Sequence, residues 1–121
     1  MTIEREITQH RINAYADASG DHNPIHIDAE FATRSPFGGT IAHGMLVLAL
    51  MGEAMHEAHG DAWLQSGSMK VRFKAPTRHG DTVSVTVERP RLRDGRTESA
   101  LACVNQRGET LIEGRASVAA S

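Results

Sequence analysis

One segment near the middle of the chain constrains the fold most, because it predicts a helix that has to be buried. Residues 42–59 contain no proline, and apolar side chains cover most of the helix circumference near its start. These side chains are Met45, Leu46, Val47, Leu48, Leu50, Met51 and Met55. Eighteen helical residues span about 27 Å, close to the diameter of a small domain, so we expect this helix to run through the centre. Gly60 is expected to end it.

The second half of the chain has the alternation of half-buried strands. Apolar residues alternate with charged or hydroxyl residues over 69–75 and 83–88. Two more strands are predicted around 99–106 and 110–119. The expected turns between the four strands are at 76–81, 93–96 and 107–108, where proline, Asp-Gly and Arg-Gly occur.

The first half of the chain is mixed. We predict a short strand within 3–8, followed by a helix that Thr8 caps and that stops at Ser19 and Gly20. The composition of 19–28 is typical of a loop, and Asp28 is suited to cap a short helix after it. A second loop is expected over 34–40.

These elements predict an α+β protein with one domain over residues 1–121. A long central helix is wrapped by a five-stranded, mainly antiparallel sheet with one polar face. A chain of 121 residues has room for one compact domain. Because such a sheet has open edges, we expect two copies to pair edge to edge into a homodimer with a continuous sheet.

Charge and hydropathy exclude several kinds of partner. Thirteen Lys and Arg residues against fifteen Asp and Glu residues give a net charge of −2, which does not favour nucleic acid as the main partner. The longest apolar run, residues 45–51, is too short to span a membrane. Cys103 is the single cysteine, and no apolar signal region opens the chain, so we expect a cytoplasmic protein.

The loop over 19–28 carries the first candidate chemistry. Gly20 and Pro24 favour a turn that would bring Asp21 and His26 together, and a carboxylate with an imidazole can act on one water molecule. The alternative is that these side chains only stabilise a turn. A metal site built from Asp21, His22, His26 and Asp28 is less expected, because Pro24 blocks the helical register that would align the histidines.

The second candidate is the loop over 38–44, which leads into the buried helix. Free backbone N–H groups at a helix start can bind a carbonyl oxygen that gains negative charge, and Gly44 would allow close approach of a ligand. The alternative is that the glycines only permit the turn and tight packing. The methionines of the helix are predicted to fill the core.

Several short motifs keep the order and spacing of a known family signature. They are Tyr15, Ser19-Gly20-Asp21, Asn23-Pro24-Ile25-His26, Ala32, Ile41-Ala42-His43-Gly44-Met45, Val71-Arg72-Phe73-Lys74-Ala75-Pro76 and Gly80-Asp81. In these positions the chain resembles the (R)-specific enoyl-CoA hydratases, the MaoC-like group of hot-dog-fold proteins. The resemblance covers nearly the whole chain. Ala18 departs from the larger aliphatic residue, or glycine, of the signature, which we attribute to packing.

The resemblance implies both a fold and a reaction. It implies a hot-dog fold in which Asp21 and His26 are the catalytic pair and the Gly44 amide binds the substrate carbonyl oxygen. The implied reaction adds water to a trans-2-enoyl-CoA to give the (R)-3-hydroxyacyl-CoA, or runs in reverse as a dehydration. It implies no metal and no cofactor apart from the coenzyme A of the substrate.

Supporting roles follow from the same loops. Gly20, Asn23 and Pro24 are expected to hold the catalytic loop, with Asn23 bonding to the backbone. We predict structural roles for His22 and His43 and a core position for Cys103. An acyl-CoA or acyl-carrier thioester needs a basic residue near its phosphates, and the candidates are Arg34, Arg72, Lys74 and Arg78.

Two other functions stay open at this point. Hot-dog proteins include acyl-CoA thioesterases, in which the water attacks the thioester carbonyl instead. The chain could also be a non-catalytic acyl-thioester-binding partner subunit, although such a subunit need not keep both Asp21 and His26.

Overall fold

The computed structural model describes residues 3–120 and contains five helices and six strands in that part of the chain. The helices are α1 (Gln9–Ser19), α2 (Pro24–Ile27), α3 (Ala29–Thr33), α4 (Gly44–His59) and α5 (Asp61–Ser66). The strands are β1 (Ile3–Glu6), β2 (Ser68–Phe73), β3 (Thr82–Val87), β4 (Arg91–Arg93), β5 (Arg96–Val104) and β6 (Thr110–Ala119).

All strand pairs of the sheet are antiparallel, in the order β1-β3-β5-β6-β2, and β4 pairs separately with β5. Helix α4 packs against one face of this sheet, and its Val47, Met51 and Met55 are almost completely buried there. The α+β prediction of a buried central helix on a mainly antiparallel sheet is therefore confirmed.

The sixth strand, β4, was not expected. It forms a short hairpin with β5 around Asp94 and Gly95, whose φ angles of 51° and 77° are in the left-handed region. The Asp-Gly turn is visible in the sequence, but the three residues of β4 are too few to show an alternation, and all three are exposed.

Two helices and one helix boundary also differ from expectation. Residues 24–27 form α2 within the predicted loop, because Pro24 suits the first helical position and the Asn23 side chain caps the helix. Helix α4 begins at Gly44 rather than at residue 42, since the Ala42 N–H donates to the Thr77 carbonyl 2.7 Å away. Helix α5 was not predicted.

Within residues 3–120, no helix has both the length and the apolar character to cross a membrane.

Gly114 of β6 pairs with Val71 of β2 and leaves no room for a side chain. A Cβ added at residue 114 would lie 2.2 Å from the Lys70 carbonyl oxygen and 2.8 Å from the Val71 Cα. Because backbone atoms cannot move aside without breaking the strand pairing, we expect Gly114→Ala to lower the free energy of unfolding by about 1–3 kcal/mol. Denaturant unfolding followed by circular dichroism measures this.

Gly52 offers the matched control for that substitution. It lies inside α4, and an added Cβ would meet nothing within 4 Å. Gly52→Ala is therefore expected to raise the free energy of unfolding by about 0.5–1 kcal/mol. Equal unfolding free energies for the two alanine variants would contradict the close approach at Gly114.

Candidate active site

His26 is held by a short helix and by one strong hydrogen bond. The Asn23 side chain accepts from the Ile25 N–H at 3.1 Å and starts α2, which carries His26 in its last turn. The His26 Nδ1 lies 2.8 Å from the Ile41 carbonyl oxygen. Because a carbonyl oxygen only accepts, Nδ1 carries the proton, and Nε2 is the basic nitrogen of the neutral ring.

Asp21 follows the end of α1. Gly20 ends that helix with a φ of 80°, and its N–H donates to the Ala16 carbonyl. The Asp21 Oδ1 accepts from the Asn23 N–H at 3.2 Å, while Oδ2 lies 3.9 Å from the His26 Nε2. The sequence expectation that the turn brings Asp21 and His26 together agrees with this placement.

The gap between Asp21 and His26 suits a water molecule. Both Asp21 Oδ2 and His26 Nε2 are acceptors, so they do not bond each other directly, but one water can donate a hydrogen to each across 3.9 Å. The His26 side chain is 12% exposed and the Asp21 side chain 53% exposed. The pair is therefore reached from solvent on the Asp21 side, while the His26 ring is mostly enclosed by the protein.

Gln9 holds the backbone of His26, and Thr40 in turn holds Gln9; the sequence did not point to either residue. The Gln9 amide nitrogen donates to the His26 carbonyl at 2.8 Å. The Gln9 amide oxygen accepts from the hydroxyl of Thr40, which is buried. These contacts join residues 17 and 31 positions apart, so no local sequence pattern signals them.

His43 lies behind the pair. It is buried, its Nε2 is 2.9 Å from the Asp21 carbonyl oxygen, and its ring stacks on the His26 ring at 3.9 Å. Tyr15 also packs against the His43 ring, with ring centroids 4.9 Å apart and the planes inclined by 55°. The signature match placed His43 next to the site, but no local pattern in the sequence predicts these contacts.

Gly44 and His26 line one groove with a volume of about 390 Å³. Its walls are mostly apolar and include Phe37, Val47, Phe73 and Ile112. Gly44 is the exposed first residue of α4, and within residues 3–120 its N–H donates to no acceptor. An unpaired N–H at a helix start is suited to bind a carbonyl oxygen.

The space beside Gly44 is occupied by an aromatic ring rather than left open. A Cβ added at Gly44 would lie 2.9 Å from the Cε1 of Phe73, which is 53% exposed in the same groove. The absence of a side chain at Gly44 thus accommodates Phe73, which agrees with the tight packing that the sequence left open as the alternative; the sequence did not identify Phe73 as the neighbour.

The four basic candidates for phosphate binding lie in different places. Lys74 lines the groove and lies 3.6 Å from Glu113, while the Arg78 guanidinium donates to the Phe37 carbonyl at the groove wall. Arg34 is exposed and lies 3.6 Å from Glu30. Arg72 lines a separate depression of about 530 Å³ on the sheet face opposite α4. The structure therefore brings Lys74 to the groove and Arg78 to the backbone of its wall residue Phe37, whereas Arg34 and Arg72 do not line it.

The ligand set considered from the sequence for a metal is not assembled. The His22 Nε2 instead lies 3.0 Å from Asp17, and this hydrogen bond raises the pKa of His22. Asp28 caps α3 through the Phe31 N–H. Within the described residues, Asp21, His26 and His43 do place potential ligand atoms within 4.8 Å of one another. In this arrangement, one nitrogen of each histidine is already bonded to a backbone carbonyl.

Cys103 lies in the core on β5. Burial raises the pKa of its thiol to about 12, so the thiol stays protonated near neutral pH. The core role predicted for Cys103 agrees with this environment.

Comparison with known proteins identifies the family. A family model described as the MaoC like domain matches residues 1–109. A 3-hydroxybutyryl-CoA dehydratase of Methylorubrum extorquens is 36% identical over 121 residues, which cover 96% of this chain and 74% of that protein. The 3-hydroxyacyl-thioester dehydratase Z of Mycobacterium tuberculosis is 44% identical over 84 residues. That match covers 66% of this chain and 56% of the relative, so it spans little more than half of the relative's length.

A solved structure shows the same fold over the full chain. The (R)-hydratase from A. caviae involved in PHA biosynthesis superposes with a TM-score of 0.86 at 26% identity, covering 100% of this chain and 93% of that one. The resemblance inferred from the motifs is thereby confirmed. The chain belongs to the MaoC-like dehydratase family and has its hot-dog fold.

Proposed function

We propose that the chain adds water to a trans-2-enoyl thioester to form the (R)-3-hydroxyacyl thioester, and catalyses the reverse dehydration. The observation that carries this proposal is the 3.9 Å separation of Asp21 Oδ2 and His26 Nε2, together with the position of His26 in the same groove as the unpaired Gly44 N–H. Relatives named dehydratases, and an (R)-hydratase with the same fold, support it.

Each step of the addition has a group to perform it. The Gly44 N–H binds the thioester oxygen and draws electron density away from C3. The water oxygen forms a bond to C3 while one of its protons passes to the His26 Nε2. The C2–C3 π electrons move to the thioester oxygen, and the enolate that results is held by Gly44. A proton returned by the Asp21 and His26 pair to C2 completes the addition on one face.

This reaction is redox-neutral, because water is added or removed as a whole. It requires no electron acceptor, and coenzyme A enters only as the carrier of the acyl group. Asp21, His26 and the Gly44 amide are the groups that we propose to touch the reacting atoms, with Gly20, Asn23 and Pro24 shaping their loop.

The direct test is to mix the purified protein with crotonyl-CoA and with longer trans-2-enoyl-CoAs. Loss of the enoyl thioester absorbance without release of free thiol, together with an (R)-3-hydroxyacyl product, is the expected result. Release of thiol, detected with a thiol reagent, would instead identify a thioesterase. Thermal stabilisation by the thioesters without turnover at any chain length would identify a binding subunit.

We expect Lys74 to contact the phosphates of coenzyme A at the groove. Lys74→Ala should raise KM for crotonyl-CoA about two- to fivefold with little change in kcat, because an exposed charge contributes modestly to binding. The effect should disappear with a crotonyl thioester of N-acetylcysteamine, which has no phosphate. Steady-state kinetics measures both.

Lys70→Ala is the matched control for Lys74. Lys70 lies in the same stretch of chain but lines the depression on the opposite face of the sheet. Lys70→Ala should leave KM unchanged for both crotonyl-CoA and the N-acetylcysteamine thioester. An equal rise in KM for the coenzyme A and N-acetylcysteamine substrates in Lys74→Ala would contradict a phosphate contact.

We also propose that the working form is a homodimer joined at β2. This strand is one edge of the five-strand path, and Phe73 at its end lines the groove. A second copy paired along β2 would extend the sheet and add a wall to a groove that is otherwise open. Light scattering at micromolar concentration tests this, and an active monomer would contradict it.

A further inference from the structure

His43 lies at the start of α4 but does not perform the usual task of a residue in that position. The side chain of a helix-capping residue normally accepts a hydrogen bond from the first turn, and the His43 side chain makes no such bond. Its imidazole instead contacts the catalytic loop, and the residue is only 3% exposed. The helix start therefore does not explain why a histidine occupies this position.

Two contacts join the His43 imidazole to the two catalytic residues, one to the Asp21 backbone and one to the His26 ring. The His43 Nε2 lies 2.9 Å from the Asp21 carbonyl oxygen, and since that oxygen only accepts, the Nε2–H donates. The same ring stacks on His26, with centroids 3.9 Å apart and planes inclined by 25°. His43 thus contacts both the backbone of Asp21 and the ring face of His26.

The other ring nitrogen of His43 lowers stability, so packing alone does not explain a histidine at this position. The His43 Nδ1 is buried and has no hydrogen-bond partner within the described residues. A buried polar atom without a partner lowers stability, and an aromatic ring without nitrogen would avoid this loss. The function that histidine adds over such a ring is the Nε2–H donor to Asp21.

We propose that His43 is a positioning residue that fixes the distance between the Asp21 carboxylate and the His26 base. The hydrogen bond holds the loop at Asp21, while the stack, together with the Nδ1 bond to Ile41, fixes the plane of the His26 ring. His43 directly precedes Gly44. The contacts of His43 therefore also set the positions of Asp21 and His26 relative to the Gly44 N–H that binds the carbonyl oxygen. This inference rests on the proposed hydration.

The first test separates the hydrogen bond from the aromatic packing. His43→Phe keeps a ring against His26 but removes the donor, and it should lower kcat about 10- to 100-fold while KM stays within about threefold. His43→Gln places an amide N–H near the former Nε2 and should recover much of the lost kcat. His56, exposed near the other end of α4, provides controls: His56→Phe and His56→Gln should match the wild type.

A second readout does not depend on turnover. In the wild-type protein, ¹⁵N–¹H spectra of the histidine rings should show His26 protonated at Nδ1. In His43→Phe the spectra should show exchange between tautomers or ring orientations, and His43→Gln should restore much of the wild-type pattern.

The outcomes distinguish this inference from the proposed function. If the wild type hydrates no enoyl thioester, the proposed function fails, and the ring spectra alone decide whether His43 positions His26. If His43→Phe keeps kcat within about threefold of the wild type and leaves the His26 signals unchanged, positioning by His43 is overturned. Equal losses of kcat in the Phe and Gln variants would also overturn the role of the donor.

Discussion

His26→Asn is expected to lower kcat/KM for enoyl thioester hydration by about 10²- to 10⁴-fold, the usual contribution of a general base. The Asn amide can still donate to the Ile41 carbonyl in place of the His26 Nδ1, so the loop keeps its hydrogen bond. What disappears is the basic Nε2 that faces Asp21. Steady-state kinetics with crotonyl-CoA, beside circular dichroism to verify folding, measures the effect.

His22 provides the matched control for His26. It belongs to the same loop, but it is exposed and bonded to Asp17, away from the groove. His22→Asn should therefore retain the wild-type rate. A folded His26→Asn variant with the wild-type kcat/KM would exclude His26 from the mechanism. Its role would then be only to stabilise the turn.

Asp21→Asn is the second substitution with a large expected effect. Asparagine has nearly the same shape, and its Oδ1 can still accept from the Asn23 N–H. The amide nitrogen replaces Oδ2 and donates where a water proton has to be accepted, 3.9 Å from the His26 Nε2. We expect kcat/KM to fall about 10²- to 10⁴-fold with the fold unchanged, measured in the same assay.

Asp17→Asn tests whether loss of any negative charge near the loop has the same effect. Asp17 is exposed, and its hydrogen bond is the main cause of the raised pKa of His22. Asp17→Asn should return that pKa toward its ordinary value and leave kcat/KM unchanged. Similar losses in Asp17→Asn and Asp21→Asn would show that the effect is electrostatic and not specific to the Asp21 carboxylate.

The central helix and the main strands were predictable because their signals are local. The apolar circumference of α4 and the alternation in β2 and β3 are periodicities within one element, and burial enforces them. Helix α2 was missed because its four residues are too few to show a period and contain Pro24, which also occurs in loops. Strand β4 was missed for a related reason, since its three residues are all exposed.

The identities of the candidate site residues came from motif spacing, whereas their mutual geometry did not. Asp21 and His26 are close in sequence, so a turn suffices to predict their proximity. The contacts of His43 with Asp21 and of Thr40 with Gln9 join residues 22 and 31 positions apart. They depend on how α1, α2 and the loop before α4 pack together, and no single segment encodes that packing.

The ring of Phe73 against Gly44 makes these two positions interdependent. Any side chain at residue 44 has to share its space with an aromatic ring that comes from the end of β2. Loss of activity in a Gly44 variant would therefore combine displacement of Phe73 with any change at the backbone N–H. The effects of substitutions at the two positions should not add, and only a double-mutant cycle can separate the contribution of the amide from that of the ring.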